Sequence, residues 1–216
     1  MKKFELTSEF VLNVFGVKLF RIKALIQFSN IDAGELGGYI EKEENLDQSG
    51  DALISGNARV SGNARVSGNA RVSGDAWVYG DAWVSGDAWV SGDARVYGNA
   101  WVYGNAQVYG DALVSGDAWV YGDAWVYGDA QVKKSAHLFQ LGALGSRNGF
   151  TTFFRVKTNK IHVVCGCFLG SIEDFEKAVA ETHADTKHEK TYLLAIELAK
   201  LQIELDEIEG EEPAEE

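Results

Sequence analysis

Proline is nearly missing from this chain: among 216 residues there is one, Pro213, so none interrupts the body of the sequence. Cysteine is scarce too, and two residues, Cys165 and Cys167, cannot make a disulfide framework. No run of eighteen apolar residues occurs, which excludes a helix that spans a membrane. Nor does a basic segment followed by a short apolar one open the chain, so the expectation is a soluble, cytoplasmic protein without membrane contact. Positive charge is in the minority, and the net charge is −12. That balance disfavours direct nucleic-acid binding. The four histidines all lie outside residues 51–132.

What fills residues 51–132 is one six-residue phrase, (Asp or Asn)-Ala-x-Val-x-Gly, repeated fourteen times with Ile54 the only exception at the Val position. In a unit such as Asp75-Ala76-Trp77-Val78-Tyr79-Gly80, Ala76 and Val78 are two apart and face one way, while Trp77 and Tyr79 face the other. The Gly-Asp or Gly-Asn pair that follows marks a corner. Each unit is therefore a short strand, and units can bury their inner faces only against neighbouring units, which makes a solenoid. Two or three strands could close a coil; 18 residues per coil is the expectation and 12 the alternative.

The phrase Val-x-Gly-(Asp/Asn)-Ala-x resembles the hexapeptide repeat of the left-handed β-helix superfamily, over Gly50 to about Leu138. That resemblance implies a mainly β fold, a left-handed parallel β-helix of triangular coils. The flanks, Leu36-Gly37-Gly38-Tyr39-Ile40 through Leu46 in front and Gly145 to Asn148 through Cys165-Gly166-Cys167-Phe168 behind, are similar to phage- and prophage-borne repeat proteins usually called hypothetical or polymer-forming. The likeness implies a protein acting inside a bacterial host cell. Many relatives of the repeat are acyltransferases with a histidine base at a subunit joint. Here no histidine lies in the coils and no long loop interrupts them, so that activity does not carry over.

The chain divides into an N-terminal cap (1–49), the solenoid (50–138), an α/β C-terminal cap (139–208) and a disordered acidic tail (209–216). In the first cap, Phe10–Val14, Lys18–Ile22 and Ala24–Phe28 read as strands with a turn near Gly16. In the second, Thr151–Val156 and Lys160–Phe168 flank Thr158-Asn159 as a hairpin. Two helices follow. One opens at Ser171 with Ile172, Phe175 and Val179 inward; the other runs from Lys190 to about Ile208 with Leu194, Leu198 and Leu201 at helical spacing.

Function has to lie on the outside of such a rod, at its joints or at its ends. All six tryptophans (Trp77, Trp83, Trp89, Trp101, Trp119 and Trp125) occupy the outward slot after Ala. At an 18-residue period Trp83, Trp101 and Trp119 form one ladder, with Trp77 beside Arg95 and Arg71 beside Trp89 as cation–π pairs. Asp75, Asp93, Asp111 and Asp129 file down one corner with no Asn between them. These aromatic and acidic ladders are the candidate partner-binding residues, the partner being another protein or a second copy in a homo-oligomer; the alternative is that they only stabilise the rod.

A second candidate lies in the one basic stretch, residues 133–170, with six Lys and Arg and no acidic residue. Arg147 and Asn148 in a Gly-flanked loop, together with Arg155 and Lys157, could hold a small nucleotide-like anion. His137, in an outward slot, reads as a capping residue. Cys165 and Cys167 share a strand face that His162 does not, so they read as buried structural thiols rather than metal ligands. The reading is a non-catalytic interaction protein, with no catalytic residues, no metal and no cofactor, an anion-binding homo-oligomer next, and an acyltransferase third.

Overall fold

The computed structural model describes residues 2–145 and 147–206. The acidic tail expected from residue 209 lies outside the described residues.

Inside the repeats, every Ala and Val of the hexads is fully buried, and Ile54 fills the first coil in place of Val. Each hexad contributes a two-residue strand, from Leu53–Ile54 to Gln131–Val132. Pairing is parallel at a spacing of eighteen residues, as in Trp83↔Trp101↔Trp119. The coil of 12 residues is thereby excluded. Nearly five coils stack, and their strands form three parallel faces.

Backbone bonding runs in one direction: Trp83 N donates to Ala100 O at 2.9 Å, Ser85 N to Val102 O at 2.9 Å, and so along the rod. The carbonyls of the first coil and the amides of the last are consequently orphaned, a cost the caps must offset. At the first end the repair is thorough. Tyr39 N and Glu41 N donate to Ala58 O and Val60 O. The buried Asn45 amide donates to Gly62 O and Ala64 O at 3.1 and 2.9 Å. The Lys3 ammonium reaches Gly50 O and Ala52 O at 3.3 and 3.0 Å. Burial lowers the Lys3 pKa to about 8, against the raising effect of Asp47 and Asp51.

The N-terminal cap consists of β1 (Phe4–Leu12), β2 (Lys18–Ala24) and β3 (Leu36–Ile40). The first two form an antiparallel hairpin, and β3 joins it to the first face by pairing Tyr39 with Arg59. The strand expected at Ala24–Phe28 is instead, after Ala24, a loop that ends in a Phe28↔Ile31 bridge. The third strand lies instead where two glycines weaken the β signal. A Cβ on Gly37 would stand 2.6 Å from Ile22 Cγ1 and from Ile54 O, so close approach to the coil explains the glycine.

The C-terminal cap is a four-stranded antiparallel meander, not a hairpin: β4 (Leu138–Leu144), β5 (Gly149–Arg155), β6 (Ile161–Cys165) and β7 (Phe168–Ser171). The single strand expected over Lys160–Phe168 breaks because Gly166 turns the chain at φ +58. Successive residues of β5 face opposite sides. Phe154 packs with the solenoid core, and Phe153 with the helices α1 (Ile172–His183) and α2 (Lys187–Gln202). Ser171 caps α1 by accepting from Asp174 N at 3.1 Å, and Ile172, Phe175 and Val179 are buried as expected. The inward face of α2 differs from the expectation. Tyr192, Ala195, Ile196 and Ala199 are buried, whereas Leu194, Leu198 and Leu201 point outward.

Candidate functional site

The six tryptophans divide unequally among the three faces, and the neighbours decide what each can do. On the first face Trp77 is half-buried between Arg59 and Arg95, whose guanidiniums lie 5.0 and 5.8 Å from its ring. The Arg95 contact was expected and the Arg59 contact was not. Phe15 and Leu19 of the hairpin border the same crevice, so the hairpin shields Trp77 from a large partner.

On the second face Arg71, Trp89, Gln107 and Trp125 alternate down one column, so no indole touches another. Arg71 is the register partner of Trp89 as expected. Yet the Trp89 indole N–H turns to Ser73 Oγ at 3.2 Å, and among the described residues no cation–π contact joins the pair.

The third face is the continuous one. Trp83 meets Trp101 edge-on at 5.1 Å, and Trp101 stacks on Trp119 at 5.6 Å. Tyr103 and Tyr121 stack alongside at 5.7 Å. The three indoles remain 38–47% exposed despite these contacts, enough to offer ring edges along the whole column. The stripe runs into a groove of about 520 Å³ at the first end of the rod, walled by Glu43, Glu44, Asp47, Arg65, Ser67 and Trp83. Two other tyrosine pairs, Tyr79–Tyr97 at 4.8 Å and Tyr109–Tyr127 at 4.3 Å, run along the remaining faces. Burial by these neighbours raises the Tyr79 and Tyr109 pKa values.

The corner columns are ordered by chemistry. Asn57 donates to Asp75, Asn63 to Asp81, Asn69 to Asp87, Asn99 to Asp117 and Asn105 to Asp123, at 2.9–3.2 Å, each across one coil. Only the column of Asp75, Asp93, Asp111 and Asp129 stacks carboxylate on carboxylate. Among the described residues no group of three or more His, Cys, Asp or Glu has the geometry of a metal site.

The four residues expected to hold an anion are not brought together. Arg147 and Asn148 precede β5 while Arg155 ends it, a separation of roughly 20 Å along an extended strand. Arg155 is buried, pairs with Asp206, and lies 3.5 Å from His137 Nε2. Lys157 is exposed on the turn after it, its amide bonded to Asp129 O at 3.0 Å. The Arg155 guanidinium thus serves the fold.

Arg147 lies elsewhere, on the shared border of two grooves of about 420 and 450 Å³. The smaller is walled by Asp123, Trp125, Phe150 and Thr152; the larger by Phe168, Phe175, Tyr192 and both cysteines. Tyr192 has its pKa pushed up to about 12, by burial first and then by its contact with the Cys165 thiol at 3.8 Å. Cys165 is half-buried and accepts from Thr151 Oγ1 at 3.2 Å, while Cys167 is exposed on the turn and not a buried thiol. Sequence reading missed this double groove because it forms only when the cap folds back over the last coil.

His137 is a cap, though buried rather than outward. Its Nδ1 accepts the Lys133 amide at 3.2 Å, closing one orphan donor of the last coil. Burial and the nearby Arg155 charge lower its pKa. Thr152 Oγ1 closes another by accepting from Trp125 N at 3.2 Å.

No curated protein matches the chain. Four segments, residues 52–68, 64–80, 88–104 and 106–122, match the family described as the YdcK beta solenoid repeat. The matches lie within the coils and agree with the parallel pairing seen there: the chain is a β-solenoid repeat protein.

Proposed function

We propose that this solenoid is a non-catalytic interaction protein that presents its third face to a protein partner. The observation that carries the reading is the in-register column Trp83, Trp101 and Trp119, flanked by Tyr103 and Tyr121 and exposed although its rings stack. Stacking alone would stabilise the rod, but a contiguous exposed aromatic stripe also marks interfaces, where Trp and Tyr dominate binding energy. The acidic groove at the end of the stripe favours a partner that brings basic side chains, because arginine and lysine can sit on indole faces and beside Glu44 and Asp47 together. The similarity of the flanks to phage- and prophage-borne proteins supports a setting in a bacterial host cytoplasm, with a host factor or a defence component as the partner.

A paired substitution separates this from a purely structural role. Trp101→Ala with Trp119→Ala should weaken partner capture at least ~10-fold. Trp89→Ala with Trp125→Ala, on the face without indole contacts, should leave it nearly unchanged. Equal effects from the two pairs, or none from the first, would defeat the reading.

A second reading rests on Arg147. Its guanidinium borders both grooves and makes no ion pair among the described residues; the larger groove, lined by Phe168, Phe175 and Tyr192 without a carboxylate, suits an aromatic or amphipathic anion. Nucleotides and aromatic carboxylates should then raise the melting temperature of the wild type but not of Arg147→Ala. Identical shifts in both proteins would remove this reading and leave the first untouched.

A further inference from the structure

Helix α2 is apolar on two sides. Tyr192, Ala195, Ile196 and Ala199 pack inward, yet Leu194, Leu198 and Leu201 are 67%, 45% and 79% exposed. A helix with apolar stripes on two opposite sides is normally covered on both. The outward leucines follow intervals of four and three residues, the spacing of a coiled-coil seam rather than a scatter of surface leucines. No other part of the described chain covers them.

The charges bordering the seam identify what does. Lys187 and Lys190 lie at its start, Glu197 beside its middle in a pair with Lys200, and Glu204 just beyond the helix end. Lys190 is exposed and takes no ion pair among the described residues, and Glu204 holds only a surface pair with Lys134. The flank that runs from Lys190 to Glu204 beside the leucines is complementary to itself when reversed. We propose that two copies of this chain associate through α2, antiparallel about a two-fold axis, with the leucines interdigitated and Lys190 of each copy facing Glu204 of the other. A parallel pair would instead set lysine end against lysine end.

The energetics favour a short seam here. An isolated helix of this length would have to order before pairing. In this protein α2 is already fixed by its inward core and by Thr186, which accepts from Glu189 N at 3.3 Å. Only rigid-body association remains to be offset by leucine burial. The surface is isologous, which is what a closed dimer requires.

Light scattering after size exclusion at about 50 µM tests the idea. Wild type should have twice the 23.6 kDa of the chain, and Leu198→Glu with Leu201→Glu should run as a monomer with unchanged circular dichroism. A monomeric wild type, or a dimer that survives those substitutions, overturns the proposal. Should the leucine variant fail to fold, charges give an independent measure. Lys190→Glu alone should weaken dimerisation at least ~10-fold, and Lys190→Glu with Glu204→Lys should restore it. A double variant no better than the single one shows that the copies are not antiparallel.

Discussion

Asn and Asp share the corner slot of the repeat, and the fold gives them different work. In two of the three columns they alternate, so that an Asn amide donates to the Asp of the next coil. In the third column four aspartates follow Asn57, and only the first receives an amide. Asp93→Asn should therefore raise the melting temperature by about 1–2 °C, by removing like-charge repulsion and supplying a donor to Asp111. The gain should shrink in high salt, where the repulsion is screened. A drop in melting temperature at low salt would mean that the column holds something the repulsion serves. Corner glycines offer a sharper contrast. Gly86 and Gly128 both have positive φ, but a Cβ on Gly86 would stand 2.9 Å from Gly104 N, whereas Gly128 faces open space. Gly128→Ala should cost about 1 kcal/mol from backbone strain alone, and Gly86→Ala clearly more, as measured by denaturant unfolding.

Between residue and rod stand the caps, where orphaned backbone groups find partners. Asn45 covers two carbonyls with one side chain, so Asn45→Ala should cost about 2–4 kcal/mol. Because each coil touches only its neighbours, the damage should appear first as faster amide exchange in the coils nearest that end. At the other end His137 must stay neutral to accept from Lys133 N. Its folded pKa lies below the ordinary 6.5, so the unfolded chain binds the proton more readily. Stability supplied by this cap is full above about pH 6.5, falls as the pH drops toward the folded pKa, and levels off below it. His137→Asn, which keeps an acceptor and cannot titrate, should flatten that part of the melting curve between pH 7 and 5; an unchanged slope would show that other groups carry it. The caps were also the least legible elements. Leu194, Leu198 and Leu201 look like an inward stripe because periodicity reports that a face is apolar, not which of two apolar faces meets the core. β3 was hidden by Gly37 and Gly38, whose purpose is close approach to Ile22 and Ile54.

For the whole molecule, the rod, its outward aromatic columns and its coil length were readable, because a period of six leaves few ways to bury Ala and Val. The double groove around Arg147 was not, since its walls come from the last coil, the meander and both helices. The proposed surfaces are separable at this scale: the third face for a partner, α2 for a second copy. A variant lacking dimerisation should keep partner binding per chain and lose only avidity, which titration of monomeric Leu198→Glu with Leu201→Glu against immobilised partner would show.

By itself the sequence determined the solenoid, the identity of its core and the columns on its surface, because strict repetition places each slot relative to its equivalents. Tertiary structure decided the rest. It divided six equivalent tryptophans into a covered one, two isolated ones and a continuous stripe, since only the stacking of real coils and the fold-back of the hairpin set their neighbours. It also turned Arg155 from a candidate anion ligand into a buried partner of Asp206, because a strand holds its two ends apart whatever charge they bear.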